Sequence, residues 1–155
     1  IIPILPTVER VQRMLSPTAQ AAGVRLRLEL ADPCPVLIEE DDLYQIIFNL
    51  MENGIKYNIR GGTLTVCLRR ESDNAVLTVE DTGLGIPEDA RAHIFDRFYR
   101  VDKSRSRSTG GSGLGLSIVH ALVQNNGGTI TVSSEIGKGS RFTVTFPLFD
   151  TEAAL

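Results

Sequence analysis

The sequence contains no tryptophan, only two cysteines, two histidines and two methionines, and aromatic residues fill 6% of its 155 positions. With so few rings and a formal net charge of -3, it offers neither the stacking platform nor the basic surface of a nucleic-acid binder. Cys34 and Cys67 build no disulfide framework and no metal-ligand cluster, so a reducing compartment is expected. No uninterrupted apolar run approaches the roughly 20 residues of a membrane span. The opening "IIPILPTVERV" has no initiator Met, no basic leader region and no cleavage site, so it does not read as a signal peptide. Its Ile1, Ile2, Ile4 and Leu5 suit a free end poorly. Residues 1–6 are therefore read as the remnant of a linker to a further domain, with partner surface missing upstream, and 151–155 as a tail.

What is present reads as one globular domain over residues 7–150. Apolar residues are 42% and charged ones 23%, ordinary values, and the length can bury a sizeable core. Strict alternation marks the strands: Val24, Leu26, Leu28 and Leu30, then Leu64, Val66 and Leu68. Leu77 with Val79, Ile130 with Val132, and Phe142, Val144 and Phe146 repeat the pattern. Period-2 strands bury one face only, so the sheet is expected to be mixed and mostly antiparallel, its other face wet. Helices are predicted over about 7–22, interrupted at Pro17, about 40–57, and about 113–126 before the Gly127-Gly128 stop. The expected fold class is α/β, a two-layer α/β sandwich with helices on one face.

Chemistry concentrates in three places. On the second helix, "YQIIFNLMENGIKYN", the residues Asn49, Glu52, Asn53 and Lys56 share an arc of roughly 100° at the helical period. An ordinary solvent face would favour Glu, Lys and Arg, whereas two Asn are poor helix formers. Amide oxygens one turn apart suit a hard divalent cation that bridges phosphates, with Lys56 as a point charge beside it. In "VEDTGLGIP", Asp81 continues the inward face of Leu77 and Val79. It is either a turn residue of the Asp-x-Gly kind or an acceptor for the exocyclic amine of a purine, with Gly83 and Gly85 letting backbone lie against the ring. The glycines of "GGSGLGLSIV", from Gly110, lead into a helix N-terminus, where free amides and the macrodipole favour a phosphate. Neither glycine cluster spells G-x-G-x-x-G, and no G-K-[ST] closes a P-loop. Before it, "DKSRSRSTGGS" has no apolar residue, and is either a solvated loop or a lid whose cations meet an anion.

In order, "NLMENGIKY", "DTGLGIP", "FDRFYR" and "GGSGLGLSIV" resemble the N, G1, F and G2 boxes of sensor histidine kinases, whose ATP-binding catalytic domains share a superfamily with type II topoisomerases and mismatch-repair proteins. The resemblance runs to the closing "GSRFTVTFPL" and implies the Bergerat ATP-binding fold, with a lid at about 96–112. It implies that Asn53 binds Mg²⁺, assisted by Asn49 or Glu52. Lys56 would contact phosphate, Tyr57 would pack on the adenine, and Asp81 would accept its amine, with Gly83, Gly85 and Ile86 as the pocket wall. Arg100 would reach the γ-phosphate. Gly111, Ser112, Gly113, Leu114, Gly115 and Leu116 would shape the phosphate loop and adenine floor. Ser140 stands where the family often has Thr, and Gly54 replaces the usual Ala.

The resemblance further implies ATP and Mg²⁺ as cofactors and a γ-phosphoryl transfer to a His on a dimerisation domain outside this chain, with Asn49, Lys56 and Arg100 as the catalytic set. A response regulator would follow as partner. The chain itself is expected to be monomeric and cytoplasmic, in a parent kinase anchored to the membrane. Family acceptors are His followed by Asp or Glu. His93 precedes Ile94 and His120 precedes Ala121, so both read as structural, as do Phe95 and Phe98 as hinge anchors and Arg97. Topoisomerase-type relatives carry a Glu at the position of Asn49 to activate water, and an amide cannot take that proton. A nucleotide-sensing module without catalysis is the remaining alternative.

Overall fold

Gly23 ends the first helix, α1 (Leu5–Ala22), by adopting φ 72°, a left-handed conformation that glycine takes without strain. Its amide donates to Gln20 O (3.1 Å), and Val24 N donates to Ala19 O (2.9 Å). The computed structural model describes residues 1–91, 93–95 and 115–149 of the chain. Val8, Val11, Leu15 and Ala19 form the buried stripe of α1. The helix runs unbroken through Pro17, contrary to the expected interruption. Pro17 and Arg13, whose carbonyl loses its donor, are both exposed, so water can satisfy the freed oxygen.

The second helix, α2 (Glu40–Lys56), opens with Glu40, Asp41 and Asp42 and closes with Lys56, matching the helix macrodipole at both ends. Leu43, Ile46, Ile47, Leu50, Met51 and Ile55 cover its buried side. Tyr57 is the capping residue and not part of the helix. A single turn, α3 (Glu88–Arg91), was not expected, and α4 (Gly115–Asn125) is the third predicted helix. None of the described helices is long and apolar enough to cross a membrane.

Five strands form the main sheet: β2 (Arg25–Leu30), β4 (Thr63–Glu71), β5 (Asn74–Asp81), β6 (Thr129–Glu135) and β7 (Gly139–Pro147). Their order is β2-β4-β5-β7-β6, with β2 and β4 parallel and every other pair antiparallel. Helices α1, α2 and α4 pack side by side on one face, giving the two-layer α/β sandwich. The other face is not uniformly wet. On the central β5, Val76 is 7% and Thr78 8% exposed, because cross-strand neighbours on β4 and β7 flank them.

A second sheet of two strands pairs β1 (Ile2–Pro3) with β3 (Pro35–Val36). It carries the start of the chain onto the domain: Ile4 is 1% exposed in the core, and its amide donates to Pro33 O at 2.9 Å. Ile2 and Leu5 pack against the same core. Residues 1–6, read from the sequence as the remnant of a linker, thus pack against this domain, and α1 begins at Leu5. Ile1 and Leu37, which flank the paired residues, keep largely exposed apolar side chains there.

Candidate functional site

Asp81 is the last residue of β5 and pairs with Leu64 of β4. Its position on the inward face leaves it 8% exposed. One carboxylate oxygen, Oδ1, accepts the amides of Gly83 (2.9 Å) and Ser140 (3.3 Å). The first bond is the Asp-x-Gly turn; the second ties the carboxylate to β7. Among the described residues, no hydrogen bond reaches the other oxygen, Oδ2. Burial raises the Asp81 carboxyl above its ordinary value, while the Gly83 and Ser140 amides pull it down and the charge on Glu80 adds to the rise. A buried carboxylate with one oxygen that none of the described residues bonds fits a ligand that brings a donor.

The loop after Asp81 is pinned from two sides. Leu84 N donates to Tyr57 O (3.1 Å) at the end of α2, and Gly137 N donates to Leu84 O (3.0 Å). Gly83 lies so close to the chain at Tyr57 and Asn58 that a Cβ would collide with the Tyr57 carbonyl. Gly85 has φ +75°, and its Cβ direction points into the carbonyl of Glu135. These glycines were expected to make room for a ring. The contacts that exclude a side chain in this structure are backbone of the neighbouring segments. Ile86, half-buried, is held through its amide by Ser134 Oγ at 2.7 Å. Ser140, 7% exposed, lies against the same serine, its Oγ 2.8 Å away.

The polar arc of α2 forms as expected. Asn49, Glu52 and Asn53 are half-buried, and Lys56 is exposed. Lys56 Nζ lies 3.4 Å from Glu52 Oε1, so these two partner each other. A Cβ on Gly115, the first residue of α4, would sit 3.9 Å from Asn49 Oδ1. Asn49 therefore faces the start of the helix that follows the glycine-rich loop. Among the described residues no group of three His, Cys, Asp or Glu side chains could hold a metal. The donors on hand are amide oxygens and the single carboxylate of Glu52, a set suited to a hard cation that takes its remaining ligands from water and phosphate.

Tyr57, half-buried, connects the arc to the Asp81 loop through its own carbonyl. Leu116 packs against the core. Arg97, Phe98, Arg100, Gly110, Gly111, Ser112, Gly113 and Leu114, the segment expected as a lid (96–112) and the tail (151–155) lie outside the described residues. Phe95 does anchor to the core: it stacks on His120 (centroids 5.0 Å) and meets Phe142 edge-on (6.4 Å). Gly54, where the family usually has Ala, faces Leu64 so closely that a Cβ would collide with its Cδ1. The sequence reading missed Ser134. Its signal was a polar residue at the inward position after Ile130 and Val132.

The family model described as "Histidine kinase-, DNA gyrase B-, and HSP90-like ATPase" matches residues 38–150. The sensor histidine kinase RppB of Synechocystis sp. is 46% identical over 110 residues, 71% of this chain and 24% of that protein. The signal transduction histidine-protein kinase ArlS of Staphylococcus aureus is 47% identical over 102 residues, 66% of this chain and 23% of its own. This chain thus spans about a quarter of the length of these curated relatives. Among solved structures, the mycobacterial sensor histidine kinase MprB superposes with a TM-score of 0.82 at 24% identity, covering 95% of each chain. Full-length ShkA in complex with AMPPNP gives 0.78 at 32% identity, covering 92% of this chain and 29% of that one.

Proposed function

Because the chain belongs to the family of histidine kinase-, DNA gyrase B- and HSP90-like ATPases, we propose that it is the ATP-binding catalytic domain of a sensor histidine kinase. It binds ATP and passes the γ-phosphoryl to a His on a separate dimerisation domain, from which a response regulator is served. The observation that carries this reading is the buried Asp81 carboxylate, held by two amides on one oxygen and open on the other. Its loop is joined through Tyr57 to the helix bearing Asn49, Asn53 and Lys56.

Asp81 Oδ2 accepts the exocyclic amine of adenine, and Tyr57, Ile86 and Leu116 supply apolar surface for the ring. Asn53, with Asn49 or Glu52, would hold Mg²⁺, which when bound neutralises charge on the phosphates. Lys56 leaves Glu52 for the phosphate, an exchange of one exposed ion pair for another, which involves little energy. Arg100 and the residues from Gly111 to Gly115 complete the proposal on the resemblance alone, the first at the γ-phosphate and the others as the phosphate loop. Phosphoryl transfer needs mainly positioning and charge neutralisation. Asn49 offers no base for water, which favours transfer to a protein acceptor over topoisomerase-type hydrolysis. The domain is expected to work on the cytoplasmic side of a membrane-anchored parent.

The test supplies γ-labelled ATP and Mg²⁺ to the chain, with and without the parent's dimerisation domain. Acid-labile label is expected on the added domain only, in proportion to its concentration, because separation forfeits an effective concentration of about millimolar. Label on the chain alone, or none on a folded acceptor, refutes the reading.

A further inference from the structure

Ser134 has one hydroxyl and three hydrogen-bonding neighbours. Ile86 N–H approaches its Oγ at 2.7 Å, the Gly139 carbonyl lies at 3.0 Å and Ser140 Oγ at 2.8 Å. A serine hydroxyl owns one proton and two acceptor positions. The Ile86 amide can only donate and the Gly139 carbonyl can only accept. The single Ser134 proton therefore goes to Gly139 O, and the third contact closes only if Ser140 donates its proton to Ser134 Oγ. The directions of these protons are assigned from that count. Every capacity of the Ser134 oxygen is then used. Ser140 then uses its proton on Ser134 and keeps its lone pairs, while its own amide contacts the Asp81 carboxylate.

We propose that Ser134 is a positioning residue of the nucleotide site, which fixes the Ile86 wall of the pocket and turns Ser140 into an acceptor next to Asp81. The proposal rests on the nucleotide reading above and deepens it by naming what sets the geometry around the base. Ser134 sits at the inward position of β6 that follows Ile130 and Val132, one turn of chain away from Gly139. From there it ties the loop after β5 to the end of β6 and the start of β7, roughly 50 residues further along the chain. Among the described residues, no other side chain hydrogen-bonds to the backbone of residues 84–86. Without Ser134 the Ile86 amide loses its partner and the Ser140 hydroxyl becomes a free rotor that can donate to Asp81, competing there with the amine of the base.

The experiment measures ADP binding by calorimetry for the chain and for Ser134→Ala, Ser134→Thr, Ser140→Ala and the Ser134→Ala/Ser140→Ala pair, each checked for folding by its unfolding midpoint. Ser134→Ala should weaken ADP about tenfold, the loss expected when a half-buried hydrogen-bonding partner is removed. Ser134→Thr, which keeps the hydroxyl, should restore binding to within about twofold. Ser140→Ala should weaken ADP in the original chain, yet add less than about twofold once Ser134 is gone, since contacting residues in one network are not additive. A folded Ser134→Ala that binds ADP as before overturns the proposal. So does a Ser134→Thr as weak as the alanine variant, because the hydroxyl is then not the agent. Full additivity of the two alanine substitutions overturns the action through Ser140. Failure of the unsubstituted chain to bind ADP is a separate outcome: it removes the nucleotide reading and this proposal with it.

Discussion

Replacing Asp81 with Asn separates two roles of one side chain. The amide keeps an oxygen where Oδ1 stands, so the bonds from Gly83 N (2.9 Å) and Ser140 N (3.3 Å) survive. It replaces Oδ2 with an NH₂ group that meets the adenine amine donor to donor. A hydrogen bond to a charged acceptor contributes about 1.5–3 kcal/mol, so ADP affinity should fall by about one to two powers of ten. Stability should move the other way. Burial raises the Asp81 carboxyl in the folded chain. Between the ordinary and the raised value the folded state therefore binds the proton more readily than the unfolded one. This contribution to stability is fully present below the ordinary carboxylate value and is lost as pH rises through the raised one. At neutral pH the folded protein thus carries the penalty of a buried charge, which Asp81→Asn removes. The nucleotide-free variant should be as stable as the original or more so.

Calorimetry with ADP and urea unfolding without it read the two effects on the same samples. Loss of affinity with stability held or raised is the expected pair. Unchanged ADP affinity in a folded variant refutes the assignment of Oδ2 to the base. A drop in unfolding free energy of more than about 2 kcal/mol refutes the energetic argument, since the carboxylate would then be holding the turn by its charge. The same titration predicts that ADP binding by the original chain weakens on acidification, as pH falls through the raised Asp81 value and the acceptor gains a proton.

Asn53→Ala should abolish the gain in ATP-analogue affinity that Mg²⁺ brings, measured by calorimetry with and without the metal, while metal-free ADP binding stays nearly constant. Gly83→Ala drives a Cβ into the Tyr57 carbonyl and Asn58 Cα; overpacking of this kind costs about 1–3 kcal/mol, read as a lower urea midpoint together with weaker ADP binding. Pro17→Ala returns a backbone donor at an exposed position inside α1 and should raise stability by roughly 1–3 kcal/mol, with nucleotide affinity unchanged.

The strands were legible because alternation survives at single-residue resolution: Leu64, Val66 and Leu68 are all fully buried, as the period requires. The pairing of Ile2–Pro3 with Pro35–Val36 was not, since two residues carry no period and proline suggests a break. The passage of α1 through Pro17 was hidden for a related reason. Whether a proline stops a helix depends on what surrounds the carbonyl of Arg13, and exposure is a tertiary property. At the site, the polar arc of α2 could be read from helical geometry alone, because four residues on one helix need no partner to define a face. The reason for Gly83 and Gly85 could not. Their side-chain directions are closed by the backbones of Tyr57–Asn58 and Glu135–Ile136, which long-range packing brings there.

Gly139 completes that pattern and explains why Asp81 can be buried at all. It adopts φ +122°, and its Cβ direction is closed by the Asp81 carbonyl. Two segments thus meet at one carboxylate, each admitted by a glycine: the loop at Gly83 and the start of β7 at Gly139. Only such close approach lets the backbone amides of Gly83 and Ser140, from distant parts of the chain, meet on one oxygen. Two amide donors on Oδ1 offset part of the desolvation of the charge, and the raised carboxyl of Asp81 shows that they do not offset all of it. A base amine that donates to Oδ2 would offset part of that residual penalty. On the proposed nucleotide reading, a bound base would relieve the incomplete solvation of this carboxylate. A ligand that presents an acceptor there would make it worse.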